Sequence, residues 1–452
     1  NNNNNNNLGD MAATMSSSSS PILNMAQDHL FTILLLLPVD SILSFAMTCK
    51  RFYSVASSNT LWESICRRDW GTPSVDTLKQ QQQQLMMMPW MRIYKQVAEL
   101  ESVTLHKLPN PDGVLELPSP RASHSLNFVS DCLVLFGGGC EGGRHLDDTW
   151  VAYVGNNFQR TPKWNKVQTE IPSGRFGHTC VVIGDLLVLF GGINDRGARL
   201  NDTWMGQVIY DERVGFTLSW RMLNVGSVLP PPRGAHAACC VNKAKMVIHG
   251  GIGLYGLRLG DTWVLEVSEN LQFGSWWELV YHPSPPPRSG HSLTCIETTS
   301  VVLFGGRGLG YEVMNDIWIL QTSQAELRWD QVLYELQNVP QGLSLPRVGH
   351  STTVILGGRI LIHGGEDSYR HRKDDFWLLD INAITKSSQA IMWKRLKSRG
   401  YRPNGRSFHR VCMDRTGRYL FVFGGMVDGV LQPAEAAGLR FDGELFLVDL
   451  FG

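Results

Sequence analysis

The sequence predicts a mainly β protein: a six-bladed β-propeller behind a small N-terminal all-α module. Three observations predict it. Six glycine doublets stand at Gly137-Gly138, Gly191-Gly192, Gly250-Gly251, Gly305-Gly306, Gly364-Gly365 and Gly424-Gly425, with first glycines 54, 59, 55, 59 and 60 residues apart. Each doublet closes a short apolar run rich in strand formers: LVLF, LVLF, MVIH, VVLF, ILIH and FVF. Further marks recur in phase on either side. A period of this length belongs to repeat architectures, in which a single unit cannot bury its own apolar face.

Upstream of every doublet lies Arg-x-x-His, at Arg121/His124, Arg175/His178, Arg233/His236, Arg288/His291, Arg347/His350 and Arg406/His409. The run after each His supplies one strand, and the run before each doublet supplies a second. Glycine tolerates positive φ and lacks a Cβ, so the pair turns the chain sharply. An acid-x-aromatic element then starts a third strand, as DDTW (147–150), NDTW (201–204), GDTW (260–263), NDIW (315–318) and DDFW (374–377), fading to GELF (443–446). A second tryptophan marks a fourth: Trp164, Trp220, Trp276 or Trp277, Trp329 and Trp393. The sixth unit stops at Asp449-Leu450, after its third strand. The segment 102–108 (SVTLHKL) stands where a fourth strand would precede the first Arg-x-x-His, so it is expected to complete the last unit and close the ring. Four-stranded units carrying these marks resemble kelch repeats, and the resemblance covers 102–452.

Ahead of the ring the periodicity changes from β to α. Asp28 can cap a helix bearing Leu30, Ile33, Leu34 and Leu37, and Pro38 ends it. Thr60-x-x-Glu63 reads as a capping box for a helix with Leu61, Trp62 and Ile65 that stops at Gly71. The stretch ILLLLPVDSILSFAMTCKRFYSVASSNTLWESICRRDW (33–70) resembles an F-box in its I-L-x-x-L, Pro-x-Asp, Cys-Lys-Arg and Leu-Trp marks. It differs at Met25-Ala26-Gln27-Asp28, where Leu-Pro is frequent. The expected organisation is a disordered low-complexity tail over 1–23, the F-box over 24–71, a linker over 72–101 and the propeller over 102–452. In the linker, residues 72–88, with Gln80–Gln84 and Met86–Met88, read as a flexible low-complexity excursion, and Trp90, Ile93, Tyr94 and Val97 as a short helix.

Composition excludes several classes. Lys+Arg and Asp+Glu both number 41, so no overall field favours nucleic acid or membranes. Nine cysteines without a C-x-x-C pair speak against a disulfide framework and a zinc module; Cys180, Cys239, Cys240, Cys295 and Cys412 fit packing positions after the histidines in a reducing compartment, cytoplasm or nucleus. The run Ile33–Leu37 with Val39 is too short to span a bilayer, and no Lys or Arg precedes Lys50 to make a signal peptide. Met11 or Met15 is a candidate start. Gly251-x-Gly253-x-x-Gly256 matches a dinucleotide fingerprint but leads into a strand start, so it reads as chance.

An F-box followed by kelch repeats resembles the plant-type F-box/kelch-repeat proteins, some of which carry a light-sensing LOV domain. This chain shows no room for one upstream, and no flavin or other cofactor is expected. The resemblance implies a non-catalytic substrate receptor of an SCF ubiquitin ligase, whose F-box holds a Skp-type adaptor and cullin complex while the propeller holds the protein to be ubiquitinated. For the adaptor the candidate residues are Leu37, Pro38, Ile42, Leu43 and Trp62. Strand parity sends the post-doublet loops and the Arg-x-x-His loops to one end of the ring. Those loops carry Arg144, Arg196, Arg199, Arg258, Arg307, Arg370 and Arg372, with Tyr255, Tyr311 and Tyr369. Guanidinium groups ringed there favour an acidic or phosphorylated client. Two rival classes compete. One is a kelch scaffold or cytoskeletal protein. The other is an iron-dependent specifier-type enzyme, for which His363, Asp367 and His371 have the spacing but His replaces the first Glu.

Overall fold

The computed structural model describes residues 20–82, 88–110, 113, 116–155, 162–168, 171–323, 325–335, 339–382, 392–429 and 439–452. Residues 1–19, most of the expected tail with Met11 and Met15, lie outside these, as does 83–87 of the Gln/Met stretch. The chain divides into two units, 1–72 with 88–94, and 73–87 with 95–452.

The smaller unit is helical. Pro21–Asn24 forms a short 3-10 turn, followed by α1 (Gln27–Leu35), α2 (Val39–Ala46), α3 (Lys50–Ala56) and α4 (Asn59–Trp70). Its core gathers Leu30, Leu34, Ile42, Phe52, Leu61, Trp62 and Ile65. Two caps differ from expectation. Asp28 lies inside the first turn of α1 behind Ala26, without a side-chain cap bond. The cap of α4 is Ser58, whose hydroxyl accepts from Leu61 N at 3.3 Å, so Thr60 is already helical and Glu63 pairs with Arg67. An earlier hydroxyl at the right offset takes the free amide first. Gly71 ends α4 at φ 90°, a conformation that suits glycine.

Thr72–Gln82 is helical (α5), where the low-complexity composition suggested a flexible excursion. Pro73 at the start and Leu, Lys and Gln downstream suit a helix. A further helix, α6, spans Trp90–Ala98.

The larger unit is the ring. Its first blade is a four-stranded antiparallel sheet of Ser125–Val129, Cys132–Phe136, Thr149–Tyr153 and Lys163–Lys166. Blades two to five repeat that order over 179–222, 237–279, 292–332 and 351–400. Blade six takes Arg410–Met413, Tyr419–Phe423 and Leu445–Asp449 from the C-terminal end and Ser102–Lys107 as its outermost strand. Ser102–Lys107 runs antiparallel to Leu445–Asp449, with Thr104 opposite Asp449, and parallel to Trp393–Gly400, with Ser102 opposite Lys397. Blades five and six therefore share one eight-stranded sheet, and hydrogen-bonded ladders alone give five large sheets.

Three features fix the blade number at six. The apolar core is divided into six wedges, each between neighbouring blades; Leu135 and Trp150 of the first meet Phe421 and Phe423 of the sixth in one of them. The innermost strands adjoin in a closed circuit. At its centre the residue before each blade histidine donates its amide to the equivalent carbonyl next door. Ser123 donates to Phe408 at 2.9 Å, Gly177 to Ser123 at 2.8, Ala235 to Gly177 at 2.8, Gly290 to Ala235 at 3.0, Gly349 to Gly290 at 2.8 and Phe408 to Gly349 at 2.7. The circle is complete.

The recurrent residues hold this ring. Arg175 donates bidentately to Asp202 at 2.6 and 2.9 Å and to the Gly191 carbonyl at 3.0 Å, and Trp204 Nε1 donates to the same carboxylate at 2.8 Å. Arg121, Arg233, Arg288 and Arg347 make the same fork on Asp148, Asp261, Asp316 and Asp375. The doublet links blades. Gly192 N donates to the Arg233 carbonyl of the next blade at 2.8 Å, and a Cβ on Gly191 would sit 2.8 Å from that oxygen at φ +70°. Trp276, not Trp277, is the buried outer tryptophan of blade three, donating to Thr203 of blade two as Trp220 donates to Thr149.

Candidate functional site

Two regions carry the candidate residues, one in each unit. In the helical unit, Arg68 Nη1 donates to the carbonyls of Leu35 and Leu37, both at 2.8 Å, and so fixes the turn between α1 and α2. That turn and the helices around it leave apolar side chains in water between residues 33 and 53: Leu36 is 81% exposed and Met47 87%, with Ile33, Leu43 and Tyr53 also exposed. Of the sequence candidates, Pro38 and Leu43 are exposed and Leu37 is half-buried. Ile42 and Trp62 are corrected: both are buried, and Trp62 is anchored by its indole N–H on the Ala56 carbonyl at 2.7 Å. The helical spacing that marks an apolar face identifies core and docking residues alike, so it could not separate them. Leu36 and Met47, the most exposed apolar side chains of this stretch, were not among the candidates. The signal for Leu36 was available: it is the third of four consecutive leucines, at the end of a helix already served by Leu30 and Leu34.

In the propeller, the loops after the doublets and the Arg-x-x-His loops do share one end, since Ala122 bridges Gly139, Phe176 Ile193, Gly234 Ile252 and Val348 Glu366. Around an axial channel of about 580 Å³ the predicted loop residues behave differently. Arg144, Arg196 and Arg370 are exposed loop charges. Arg199 donates to the Gly197 carbonyl at 2.6 Å. Arg258 lines the channel, donates to Ser289 at 3.1 Å and lies 4.8 Å from the Tyr311 ring centroid. Arg307 also lines it and reaches Glu366 at 3.4 Å. Arg372 is corrected: its side chain is buried between Glu366 and Asp428 at 3.4 and 3.0 Å, so it braces loops. Tyr255, Tyr311 and Tyr369 are exposed; Tyr255 and Tyr311 hold φ of 59° and 63°, costly for residues with a Cβ.

The channel wall holds a further cation that sequence reasoning overlooked. The position after each blade histidine is Ser125, Thr179, Ala237, Ser292 and Ser351 in five blades, and Arg410 in the sixth. The small hydroxyls have a purpose: His178 meets Ser125 at 3.1 Å, His236 Thr179 at 2.8, His350 Ser292 at 2.9 and His409 Ser351 at 3.0. Where Ala237 lacks a hydroxyl, His249 meets His291 at 2.9 Å instead. At Arg410 the series breaks: among the described residues buried His124 meets no side-chain hydroxyl, and its ring stands edge-on to Phe423, whose backbone it contacts. Arg410 donates to the carbonyls of His124 at 2.7 Å and His409 at 3.0 Å, and burial brings its pKa down to about 10. Comparing equivalent positions across the repeats, instead of motifs within each, would have found it.

The rival chemistries find little support. Gly251-x-Gly253-x-x-Gly256 runs through a 3-10 turn into the strand Arg258–Val267, with no helix N-terminus for a pyrophosphate. His363 bonds the Asp375 carbonyl at 3.0 Å, and Asp367 accepts the amides of Tyr369 and His371, both at 2.9 Å, within its own loop. Among the described residues no group of three His, Cys, Asp or Glu is placed to hold a metal. All nine cysteines are free, and those after the blade histidines pack into the inter-blade wedges.

Comparison with known proteins follows this division. The family model described as KLHDC2/KLHL20/DRC7 Kelch-repeats domain matches residues 95–270 and 214–425, and the one described as F-box-like matches 27–68. An F-box/kelch-repeat protein of Arabidopsis thaliana is 59% identical over 452 residues, covering 96% of this chain and 94% of that protein. Adagio-like protein 2 of Oryza sativa subsp. japonica is 30% identical over 82% of this chain, which spans 57% of that relative's length. Among solved structures, that of YjhT aligns over 74% of this chain and 95% of its own at a TM-score of 0.50 and 15% identity, a likeness of fold alone.

Proposed function

The chain belongs to the F-box/kelch-repeat family, and from that premise we infer that it is the substrate-recognition subunit of an SCF-type ubiquitin ligase. The helical unit binds a Skp-type adaptor and through it a cullin complex; the propeller binds the protein to be ubiquitinated, in the cytoplasm or nucleus. The subunit does no bond chemistry itself. It raises the effective concentration of client lysines near a charged conjugating enzyme.

The observation that carries this reading is the exposed apolar run between residues 33 and 53. A soluble chain gains nothing by leaving Leu36 and Met47 in water unless a partner covers them. On the client side, Arg258 and Arg307 at the channel with Tyr255, Tyr311 and Tyr369 around it favour an acidic or phosphorylated segment with apolar neighbours.

The experiment is capture of a purified Skp-type adaptor by the full chain. Leu36→Asp combined with Met47→Asp leaves the helical core untouched and is expected to lower adaptor affinity by two orders of magnitude or more, the scale of losing one or two buried anchors. The propeller's circular-dichroism melt should not change. Wild-type capture by the double variant, or no capture by the wild-type chain, overturns the assignment.

A further inference from the structure

We propose that the outer wall of blade five binds an acidic, Asp/Glu-rich polypeptide segment through a row of cations on its last strand, Arg395, Lys397 and Arg399. This is a contact surface for a client beyond the loop end described above, and it rests on the receptor reading only for its biological use.

The chain as a whole is neutral, yet residues 381–413 hold eight Lys and Arg and no Asp or Glu. Five of these cations, Lys394, Arg395, Lys397, Arg399 and Arg402, fall within nine residues. All but Arg402 stand on Trp393–Gly400, the outermost strand of blade five. Alternation along the strand separates two faces. Trp393 turns into the wedge with blade four, and Leu396 into the wedge with blade six. Arg395, Lys397 and Arg399 follow Trp393 in phase, all exposed, at intervals of roughly 6–7 Å. Glu101 is held by Lys394 at 2.6 Å, which lowers its pKa first, with Lys397 adding to the effect. Arg395 reaches the Gly342 carbonyl at 3.5 Å, and the three cations of the row form no ion pair among the described residues. Arg395 and Lys397 also line an open cleft of about 610 Å³ with Arg402. Its two acids are exposed Asp374 and buried Asp375, and Arg347 already holds the second.

Lysine and arginine on an outermost strand commonly keep a free sheet edge from pairing with another chain. That reason is weakest here. Lys397–Gly400 is already paired in register with Ser102–Leu105, so this stretch of the outer edge is closed. The outermost strands of blades one to four end their sheets, and none carries more than two charges of one sign: Lys163 with Lys166, Arg221, Glu278, and Arg328 with Asp330. Charge is therefore concentrated where an edge needs it least, at the cost of mutual repulsion, and a partner of opposite charge relieves that cost. The row sets the partner's chemistry. Single cations at alternate positions match single carboxylates on an extended segment, whose alternate side chains have the same spacing. Because the ladder occupies the backbone of this edge, recognition passes through side chains and not through strand addition. Single-stranded nucleic acid needs open rings to stack its bases, whereas the ring of the cleft, Tyr401, is half-buried with Lys107 over it at 5.7 Å from the centroid. A membrane surface needs exposed apolar groups, and Leu105 and Leu396 of the cleft are buried.

The test uses the full chain without adaptor, so its failure and that of the ligase reading are separable. Fluorescence anisotropy follows a labelled peptide of alternating Glu and Ser, with a Gln-Ser peptide as its uncharged counterpart. The wild-type chain is expected to bind the acidic peptide saturably at low salt, more weakly as salt rises, and to ignore the uncharged one. Arg395→Gln combined with Lys397→Gln and Arg399→Gln leaves Trp393 and Leu396 in place and should lower the affinity by about tenfold or more, the scale of losing three exposed pairs. Lys163→Gln with Arg213→Gln and Arg328→Gln removes the same charge from exposed positions elsewhere and should keep the wild-type affinity. Arg395→Glu, Lys397→Glu and Arg399→Glu together should capture a Lys-Ser peptide that the wild-type chain refuses, a gain that an unfolded chain could not imitate with a wild-type circular-dichroism melt. No binding by the wild type, undiminished binding by the neutral triple variant, or an equal loss in the control would each overturn the proposal. Tighter binding of oligothymidylate or of phosphatidylserine vesicles than of the acidic peptide would overturn it as well.

Discussion

Eight histidines in the propeller, at 124, 178, 236, 249, 291, 350, 363 and 409, are held neutral, and burial is the first cause for each. His236, His249 and His350 are lowered to about 3, and His363 to about 4. The consequence for stability has a definite sign. Above the ordinary histidine value both folded and unfolded chains are neutral at these sites. As pH falls below about 6.5 the unfolded chain takes up protons that the folded ring refuses, so stability declines, and the decline continues down to the folded values. Each such histidine adds a slope of up to about 1.4 kcal/mol per pH unit in that window. Asp148, Asp202, Asp261, Asp316 and Asp375, lowered by their arginine partners against opposing burial, add a second loss only below the ordinary carboxylate range. Urea midpoints measured from pH 8 to pH 4.5 should therefore start to fall near 6.5. A plateau that holds to pH 4.5 would show that the histidines do not govern the acid limit. At this scale the recurring residues were legible because each repeats its role in most or all of the six blades, and Arg410 was hidden because it does not repeat.

The blade is held by its arginine fork, which ties the innermost loop, the glycine doublet and the start of the third strand into one unit. In blade two, Arg175 is fully buried and bonds Asp202, the Gly191 carbonyl and the Ser173 carbonyl together. Lysine has the charge but not the planar fork, so Arg175→Lys leaves donors and acceptors unmatched. Its expected cost is about 3 kcal/mol, the low end for breaking a buried pair, because Asp202 keeps some contact with water. Chemical denaturation of the purified variant checks this; a loss under about 1 kcal/mol would mean that the fork merely decorates the turn. The sixth blade shows what such a rule reads and what it misses. By motif the acid there is Glu444, but Arg406 takes Asp442 at 2.8 Å. The separation from arginine to acid is 36 residues instead of 27 in blade two, and the carboxylate that arrives stands two positions before the one the motif marks. Strand order and pairing were legible because side-chain alternation and glycine turns are local. Helix starts in the small unit were less so, since Ser58 and Thr60 are equally able to cap and only the fold selects between them.

The whole ring depends on one short strand from the other end of the sequence. Val103 and Leu105 of Ser102–Lys107 are buried in the wedge with Leu396, Phe446 and Val448, while the backbone bonds both Leu445–Asp449 and Trp393–Gly400. In an open repeat array, stability adds up from neighbours, and a weak end frays by itself. In a closed ring every blade has two neighbours, so opening one seam strips an interface from both sides and exposes two strand edges. Val103→Ala removes two buried carbons and is expected to cost about 2–3 kcal/mol. Its signature is distribution, not size. Amide exchange of the variant should accelerate in the innermost strands of all six blades together, including Ser125–Val129 and Ser292–Ile296, which lie outside the wedge that Val103 packs in. Exchange confined to blades five and six would show that the ring unzips locally, and the closing strand would then be a cover for one edge and not the lock of the whole fold.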